Sequence, residues 1–264
     1  MEPQSKTQNN FLTIPIAIVV AGIVIAGAIF FGGRSGSTAT GNQPTDTQPA
    51  AVAVALRDVS AGEHIRGNPD AAVVLVEYSD TECPFCKSFH TTMKRIVDEY
   101  GKAGSLAWVY RHFPLDQIHS KARKEAEATE CAAEIGGNAA FWSYLDRIFE
   151  ITPANNGLDP AELPKIAEFV KLDAQKFDAC LASGKYADKI QKDFDDGASA
   201  GANGTPFSIL VLKKEVTKTQ ETVLAPLIAQ FRGGVAFSQD KTKITLNGAL
   251  PYESIKTILD VLLK

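Results

Sequence analysis

The stretch Val73–Cys86, VVLVEYSDTECPFC, decides the fold. It begins with a short run rich in β-branched residues, which is the pattern of a buried parallel strand. It ends with Cys83 and Cys86, and the apolar residues after them recur at helical spacing up to a stop at Gly101. A second strand is predicted over Leu106–Tyr110, LAWVY. Strand, helix and strand are therefore complete within about 40 residues, and crossovers of this kind are right-handed.

The rest of the folded part alternates between helix and strand patterns. Periodicity and capping residues predict helices over 120–135, from Asn138 onward, over 160–170 and over 173–182, strands over 207–212 and 243–246, and a closing amphipathic helix over 252–263. Without its helical middle, the order is β-α-β followed by β-β-α. Residues 213–242 are hard to interpret; a short helix over 223–231, with Pro226 in its first turn, is one interpretation.

Composition indicates a globular domain with attachments. The chain has 264 residues, of which 45% are hydrophobic and 22% charged, so it can bury a core. Its net charge of −4 and the lack of a block of Lys and Arg argue against nucleic acid as a partner. Its four cysteines are too few for a small scaffold held together by disulfides. The protein is therefore expected to fold around a core and to use its thiols selectively.

The N-terminal region predicts a membrane anchor. Residues 11–31, FLTIPIAIVVAGIVIAGAIFF, contain no charged side chain and match the ~20 residues that a helix needs to cross a bilayer. We predict a tail over 1–10, an uncleaved transmembrane helix over 11–31, a flexible linker over 32–56 and a folded domain over 57–264. A cleaved signal peptide and a buried core helix are the alternatives. Positive charges on the two sides of the run are nearly balanced, so charge hardly sets its orientation.

The segment Cys83-Pro84-Phe85-Cys86 lies between a strand and the first turn of a helix. The thiolate is the form that attacks a disulfide, and the positive end of a helix lowers the pKa of a thiol. Cys83 can therefore be ionised at the helix start, while Cys86, one turn deeper, can close the disulfide. Pro84 suits the first helical position, where an N–H would have no partner. A CxxC pair can also bind zinc or be inert, but a zinc site needs a second Cys or His pair at short spacing, which the sequence lacks.

The histidines do not extend this site into a metal centre. Their positions show no metal-ligand spacing, and we expect them to be surface or structural residues: His64, His90, His112 and His119.

Five stretches taken together resemble the DsbA-like branch of the thioredoxin superfamily, in particular its membrane-anchored, BdbD-like members. They are HIRGNPDAAVVLVEYSDTECPFCKSFH (64–90), RHFPL (111–115), ECAAEIGGNAAFW (130–142), GANGTPF (201–207) and NGALPYESIKTILD (247–260). Their ordered combination is far more specific than a lone CxxC.

The resemblance covers residues 57–264 apart from about 30 residues inside the last hairpin, and it implies an α/β architecture. The expected fold is the thioredoxin fold, a central mixed sheet flanked by helices, with an inserted helical domain at about 115–197. The core would comprise residues 57–114 and 198–264. The inserted helices are expected to form a lid over the CPFC face.

The resemblance also implies roles for individual residues. Cys83 would be the nucleophile and Cys86 the resolving cysteine. Thr205-Pro206 matches the family's cis-proline dipeptide, which lies against the cysteine pair and binds substrate backbone. Cis bonds are essentially confined to X-Pro, which agrees with this interpretation, and a trans proline opening a strand is the alternative.

Three further residues belong to the implied site. Pro84 and Phe85, between the cysteines, would contact substrate. Phe85 departs from the histidine of the best-known family members, and this leaves the oxidising strength open. Glu77 matches the buried acid that assists proton transfer at the inner thiol, with a pKa that burial would raise. A glutamate that faces solvent at the strand end is the alternative.

Cys131 and Cys180 match a second, structural disulfide of some family members. A bridge across a loop of ~50 residues would stabilise by about 4 kcal/mol on the chain-entropy model. Two buried free cysteines are the alternative. A real bridge would place the domain in an oxidising compartment.

The function implied by the resemblance is that of a bacterial, extracytoplasmic dithiol oxidase that introduces disulfides into secreted proteins. Its partners would be reduced secreted or envelope proteins and a quinone-linked membrane protein that re-oxidises it. It would sit in the cell membrane by a single pass over 11–31, without metal or cofactor apart from its redox-active disulfide. A reductase or isomerase on the same fold is one alternative. A metal chaperone or redox-inert module is another, although a copper chaperone would need more Met or His near the thiols.

Overall fold

The computed structural model of the protein describes residues 54–60 and 62–264. The predicted tail over 1–10, the predicted anchor over 11–31 and most of the predicted linker lie outside these residues. Within the two described ranges, no helix is long and apolar enough to cross a membrane.

Strands and helices follow one another in the described chain largely as the patterns predict. The strands are β1 His64–Gly67, β2 Val73–Ser79, β3 Leu106–His112, β4 Phe207–Leu212, β5 Val235–Phe237 and β6 Lys243–Asn247. The helices are α1 Pro84–Ile96, α2 Ala122–Ile151, α3 Glu162–Phe169, α4 Ala174–Ser183, α5 Ala187–Ser199, α6 Lys218–Gln230 and α7 Tyr252–Leu262. A π-helical turn, Val97–Gly101, extends α1.

The strands form one mixed sheet in the order β1-β3-β2-β4-β6-β5. β2 and β3 run parallel, and the other neighbours are antiparallel. A parallel pair joined through α1, followed by an antiparallel hairpin and α7, confirms the predicted mixed sheet flanked by helices. β2 lies in the middle of this sheet, so the loop at its carboxyl end, which carries the cysteines, is fixed by strands on both sides.

One side of the sheet, which we call the front face, holds the larger core. Leu75, Trp108 and Leu210 project from three adjacent strands into it. Phe89 and Met93, both fully buried, pack on them from α1, and apolar residues of α7 and of the second half of α2 complete the cluster. Because Cys86 belongs to the same cluster, the inner thiol lies in an apolar environment.

The opposite side, the back face, packs against α5. Tyr78 of β2 and Phe113 after β3 belong to its core, and Phe194 of α5 packs against it. A Cβ on Gly197 would lie 2.7 Å from ring atoms of both Tyr78 and Phe113, so α5 approaches this closely only because residue 197 has no side chain.

The predicted lid is therefore wrong for part of the insert. Helices α2–α5 do lie between β3 and β4, and the second half of α2 packs on the front face. However, α5 contacts β3 and β2 on the back face, so the insert straddles the sheet. Phe85 remains 65% exposed and Pro84 is exposed as well, so the insert does not cover the two residues between the cysteines. A helical pattern gives the apolar face of each helix but not the side of the sheet on which the helix packs.

The predicted break between two helices is confirmed: the span α2, Ala122–Ile151, is interrupted at Gly137, whose φ of 72° and ψ of −166° are not helical, so two helical segments meet there at a kink. Other local predictions differ from the structure. α6 begins after Thr217, whose side chain forms a capping box with Gln220, so Pro226 lies inside the helix and not in its first turn. β1, β5 and α5 were not predicted.

A disulfide joins two helices of the insert. Cys131 of α2 and Cys180 of α4 are bonded, 49 residues apart in the sequence. Both belong to a separate apolar cluster formed by α2, α3 and α4, with Tyr144 and Phe177 at its centre. The bridge thus closes a small helical subdomain, and its sulfurs are distant in sequence from the CPFC segment.

We expect the Cys131→Ala, Cys180→Ala double variant to be less stable by up to about 4 kcal/mol, since the bridge restricts the unfolded chain. Its thiol–disulfide exchange rate should stay near that of the parent. For the unfolding measurement, the protein with the bridge and the variant without it would both carry Cys83→Ser and Cys86→Ser, so that the structural bridge is the only difference between them. Equal free energies of unfolding would contradict a stabilising role for the bridge. A large loss of exchange activity in the double variant that keeps Cys83 and Cys86 would contradict a purely structural role.

Candidate active site

The cysteine pair lies where β2 ends and α1 begins. Cys83 is the N-cap of α1, with extended backbone angles, and Pro84 occupies the first helical position. Cys83 itself is only 4% exposed, whereas Pro84 and Phe85 face solvent. Its Sγ lies 3.5 Å from the carbonyl oxygen of Thr205, across the loop that precedes β4. The nucleophile is therefore held between a helix N-terminus and a neighbouring loop, beside two exposed residues.

This position stabilises the thiolate of Cys83. The hydrogen bond from the Cys86 thiol lowers the pKa of Cys83 to about 6, and the backbone N–H groups of Phe85 and Cys86 act in the same direction against the effect of burial. Cys83 and Cys86 are in the dithiol form in this structure. At neutral pH the outer cysteine is thus mostly the nucleophilic thiolate.

Cys86 has the opposite character. It is fully buried in the front-face core, and this burial, together with the neighbouring Cys83, raises its pKa well above the ordinary value. The Asp80 N–H points at its Sγ over 3.5 Å. Cys83 can therefore attack an incoming disulfide, while Cys86 keeps its proton until it resolves the mixed disulfide. The structure thus supports the predicted division of roles.

Glu77 lies below the pair, and it is fully buried. The Nε1 of Trp108 donates to its Oε2 over 2.9 Å, while Oε1 has no hydrogen-bond partner among the residues that the structure describes. Burial raises the pKa of Glu77 to about 7. The alternative of a solvent-facing glutamate is excluded, and a buried acid with this pKa can exchange a proton with the inner thiol near neutral pH.

The peptide bond between Thr205 and Pro206 is cis, as the resemblance implies. Pro206 directly precedes β4, and its carbonyl oxygen accepts a hydrogen bond from the N–H of Gly248 at 2.9 Å. Because β4 is the neighbour of β2, this dipeptide stands beside Cys83 at the same end of the sheet. The predicted residues Cys83, Cys86, Glu77, Thr205 and Pro206 are thus brought together.

Other residues of the site were not singled out in the sequence. Trp108, which donates a hydrogen bond to Glu77, was predicted from the sequence only as part of an apolar strand. Asp80 is buried, and its Oδ2 accepts the N–H of Leu115 at 2.8 Å and lies 2.9 Å from His119 Nδ1. Glu82, directly before the nucleophile, is also fully buried. The sequence signal that could have found both residues is the presence of two acidic side chains, Asp80 and Glu82, directly before a cysteine that acts as a thiolate.

The histidines are structural residues, each buried against a carboxylate. The pairs are His64 with Glu130, His90 with Asp146, His112 with Glu130 and His119 with Asp80.

A stabilised thiolate at a helix N-terminus, a buried partner thiol, a buried acid and a cis-proline loop form the arrangement of a thiol–disulfide exchange enzyme. The family model described as thioredoxin matches residues 60–227. The chain belongs to the thioredoxin family. Within it, the chain resembles the DsbA-like proteins, since a solved DsbA structure is similar to it in fold and is 29% identical in sequence.

Three solved structures are similar to this chain. BdbD from Bacillus subtilis, in its oxidised form, has a TM-score of 0.59 at 21% identity and covers 80% of this chain and 99% of its own. Wolbachia pipientis alpha-DsbA1 has a TM-score of 0.58 at 21% identity, covering 77% and 92%. Pseudomonas aeruginosa DsbA2 has a TM-score of 0.51 at 29% identity, covering 66% and 97%. All three have the same fold as this chain, and at 21% identity the likeness to the first two shows the fold alone.

Curated relatives are much longer proteins. The Na(+)/H(+) antiporter NhaA 3 of Salinispora tropica is 36% identical over 144 residues, which are 54% of this chain and 21% of that protein. NhaA of Herminiimonas arsenicoxydans is 31% identical over 172 residues, 65% of this chain and 26% of that protein. This chain thus spans about a fifth to a quarter of the length of these relatives.

The division of roles within the pair leads to a first prediction for this site. Cys83→Ser should abolish oxidation of a reduced model protein, and Cys86→Ser should accumulate mixed disulfides through Cys83, since the resolving thiol is missing. Gel electrophoresis without reductant would show the trapped species. Alkylation of the reduced protein at pH 6 that modifies Cys86 before Cys83 would refute the assignment.

The raised pKa of Glu77 leads to a second prediction, on stability. The pKa of Glu77 is about 4.5 in the unfolded chain and is raised to about 7 in the folded protein. Its contribution to the free energy of unfolding is therefore fully present below pH 4.5 and is lost as the pH rises through 7. The oxidised Glu77→Gln variant should therefore gain stability relative to the wild type, by up to about 3 kcal/mol, between pH 4 and pH 8.

Denaturant unfolding of the oxidised proteins across this range measures the difference without interference from thiol titration. The exposed Glu253→Gln serves as control and should show no such trend. A pH-independent difference for Glu77→Gln would mean that Glu77 titrates normally.

Proposed function

We propose that this protein is a dithiol oxidase that transfers its Cys83–Cys86 disulfide to reduced proteins outside the cytoplasm. The observation that carries the proposal is the stabilised thiolate of Cys83, whose pKa is lowered to about 6. Whatever stabilises the reduced form makes the disulfide a stronger oxidant, because reduction then releases more free energy. The same helix N-terminus that activates the nucleophile therefore favours donation of the disulfide.

The proposed reaction balances in two steps. A substrate thiolate attacks the Sγ of Cys83, which forms a mixed disulfide and releases Cys86 as a thiolate that takes up a proton, with Glu77 as the nearby donor. The second substrate thiolate then attacks the mixed disulfide on the substrate's sulfur, so the substrate leaves oxidised and Cys83 leaves as a thiolate. Two electrons pass from substrate to enzyme.

The oxidised form must then be regenerated by an electron acceptor. By family analogy, a quinone-linked membrane protein would accept these two electrons. The substrates would be reduced secreted or envelope proteins, and the exposed Pro84 and Phe85, with the Thr205-Pro206 loop, would contact their backbone. This surface is open to solvent, which suits extended, unfolded substrates.

The proposed location rests on two independent supports. The uncharged run over 11–31 has the length of a membrane span, and we propose that it anchors the domain in the cell membrane. The Cys131–Cys180 bridge indicates an oxidising compartment, since structural disulfides are rare where thiols are kept reduced. We therefore propose that the catalytic domain lies on the extracytoplasmic side.

A reductase or isomerase is the second candidate, and Phe85 is the observation that favours it. A histidine between the cysteines would add stabilisation to the thiolate, and the apolar ring of Phe85, 65% exposed, supplies none.

The reduction potential of the Cys83–Cys86 couple decides between these functions. Equilibration of the protein with defined glutathione buffers, followed by alkylation and mass measurement, should give a value nearer to about −120 mV than to about −270 mV. The Cys131→Ala, Cys180→Ala variant serves as control, since it carries only the active pair. A potential near −270 mV in both chains would indicate a reductase and overturn the oxidase proposal.

A further inference from the structure

Glu82, the residue before the nucleophile, connects the active-site loop to the insert. The loop between α2 and α3, residues 152–161, donates three backbone hydrogen bonds to it. Asn155 N–H donates to the Glu82 carbonyl oxygen at 2.7 Å, Gly157 N–H to Oε2 at 3.1 Å and Leu158 N–H to Oε1 at 3.3 Å. Both carboxyl oxygens and the main chain of Glu82 are thus used to hold one loop.

The 152–161 loop has an unusual backbone that needs such support. Ala154, Asn155 and Asn156 follow one another with φ values of 64°, 53° and 64°, which are left-handed conformations. This region is unfavourable for residues with a Cβ, and such segments persist where the surroundings hold them in place. The Nζ of Lys87 adds a bond to the Thr152 carbonyl at 2.6 Å, again from the active-site helix.

Glu125 of α2 meets Glu82 from the other side. Its carboxyl group is buried, and its Oε2 has no hydrogen-bond partner in the described part of the chain. Burial and the neighbouring Glu82 carboxyl raise the pKa of Glu125, because two carboxylates side by side in a buried place favour a proton on one of them. Since both Glu82 oxygens already accept backbone N–H groups, Glu125 is the partner that carries it.

We propose that Glu82 is a positioning residue for Cys83: through the 152–161 loop and a proton held by Glu125, it fixes the nucleophile at the N-terminus of α1. The inference concerns thiol–disulfide exchange in either direction and does not depend on the oxidase proposal.

The charged groups around Glu82 and Glu125 determine the pH at which Glu125 loses its proton. Burial raises the pKa of Glu125 to about 9, with further increases from Glu82 and Asp80, while Tyr144 faces it from its own helix. The neutral form thus persists at pH 7. Ionisation above about pH 9 would place two buried like charges in contact and release the 152–161 loop.

A pair of glutamine substitutions tests this arrangement in the full-length chain. Glu125→Gln keeps a hydrogen for Glu82 and should match wild type at pH 7. Glu82→Gln places an NH2 group against a backbone N–H, so protection of the 152–161 loop in hydrogen exchange should fall by about tenfold. Glu127→Gln, on the same helix and paired with Lys124, is the matched control and should change nothing.

The pKa of Cys83, measured by thiolate absorbance or by the pH profile of alkylation, separates positioning from charge. Removal of a negative charge beside a thiolate lowers its pKa, so charge alone predicts a decrease in Glu82→Gln. Loss of position moves Cys83 away from the helix N–H groups and predicts an increase, with about tenfold lower reactivity at pH 6. A decrease, or no change, overturns the proposal.

Two further comparisons complete the test. At pH above 9 the 152–161 loop should lose protection from hydrogen exchange in the wild type and keep it in Glu125→Gln. Equal protection in the two proteins would contradict the proposal that Glu125 holds a proton beside Glu82. If Glu82→Gln fails to fold, Glu125→Ala replaces it, since this variant removes the hydrogen donor and leaves Glu82 in place. Reactivity of Cys83 in Glu125→Ala that equals that of Glu125→Gln at pH 7 overturns the proposal.

Discussion

The position of Cys83 at the N-terminus of α1, where its thiolate is stabilised, places requirements on the rest of the domain. For Cys83 to cap this helix, β2 must end directly before it and α1 must begin with a residue that needs no N–H partner, which is Pro84. The central position of β2 in the sheet fixes this junction from both sides. The Thr205-Pro206 loop reaches Cys83 because β4 is the antiparallel neighbour of β2.

The second requirement is a difference in environment between the two thiols. Cys86 and Glu77 share the dry front-face core, in which each prefers its neutral form. In the proposed reaction, attack of a substrate thiolate on the Cys83 sulfur leaves a negative charge on Cys86, and Glu77 is the buried acid that we propose protonates it. Trp108 keeps one Glu77 oxygen occupied, so the other oxygen, without a partner in the described structure, is left for this exchange. The apolar core therefore has a chemical role as well as a structural one.

The sequence predicted the chemistry better than the arrangement of the insert. β2, α1 and β4 have strong periodicity and clear ends, and they carry the site. β1 has four residues, too few for a pattern, and α5 shows only Ile190 and Phe194 as an apolar pair among many charged residues. The burial of four histidines against carboxylates was invisible, because a histidine in a buried ion pair and one on the surface look alike in sequence.

The contacts between insert and active site are invisible for a related reason: their donors are backbone N–H groups. Asp80 accepts from Leu115 and Glu82 from Gly157 and Leu158, so the sequence reveals the acceptors alone. Burial of a carboxylate is costly unless its oxygens are satisfied, and these bonds therefore tie both loops of the insert to SDTE. The insert also accepts a bond from Lys87 in the next turn, but none of these bonds involves Pro84 or Phe85, which stay exposed. The insert can therefore hold the segment that carries the nucleophile without covering the two residues between the cysteines.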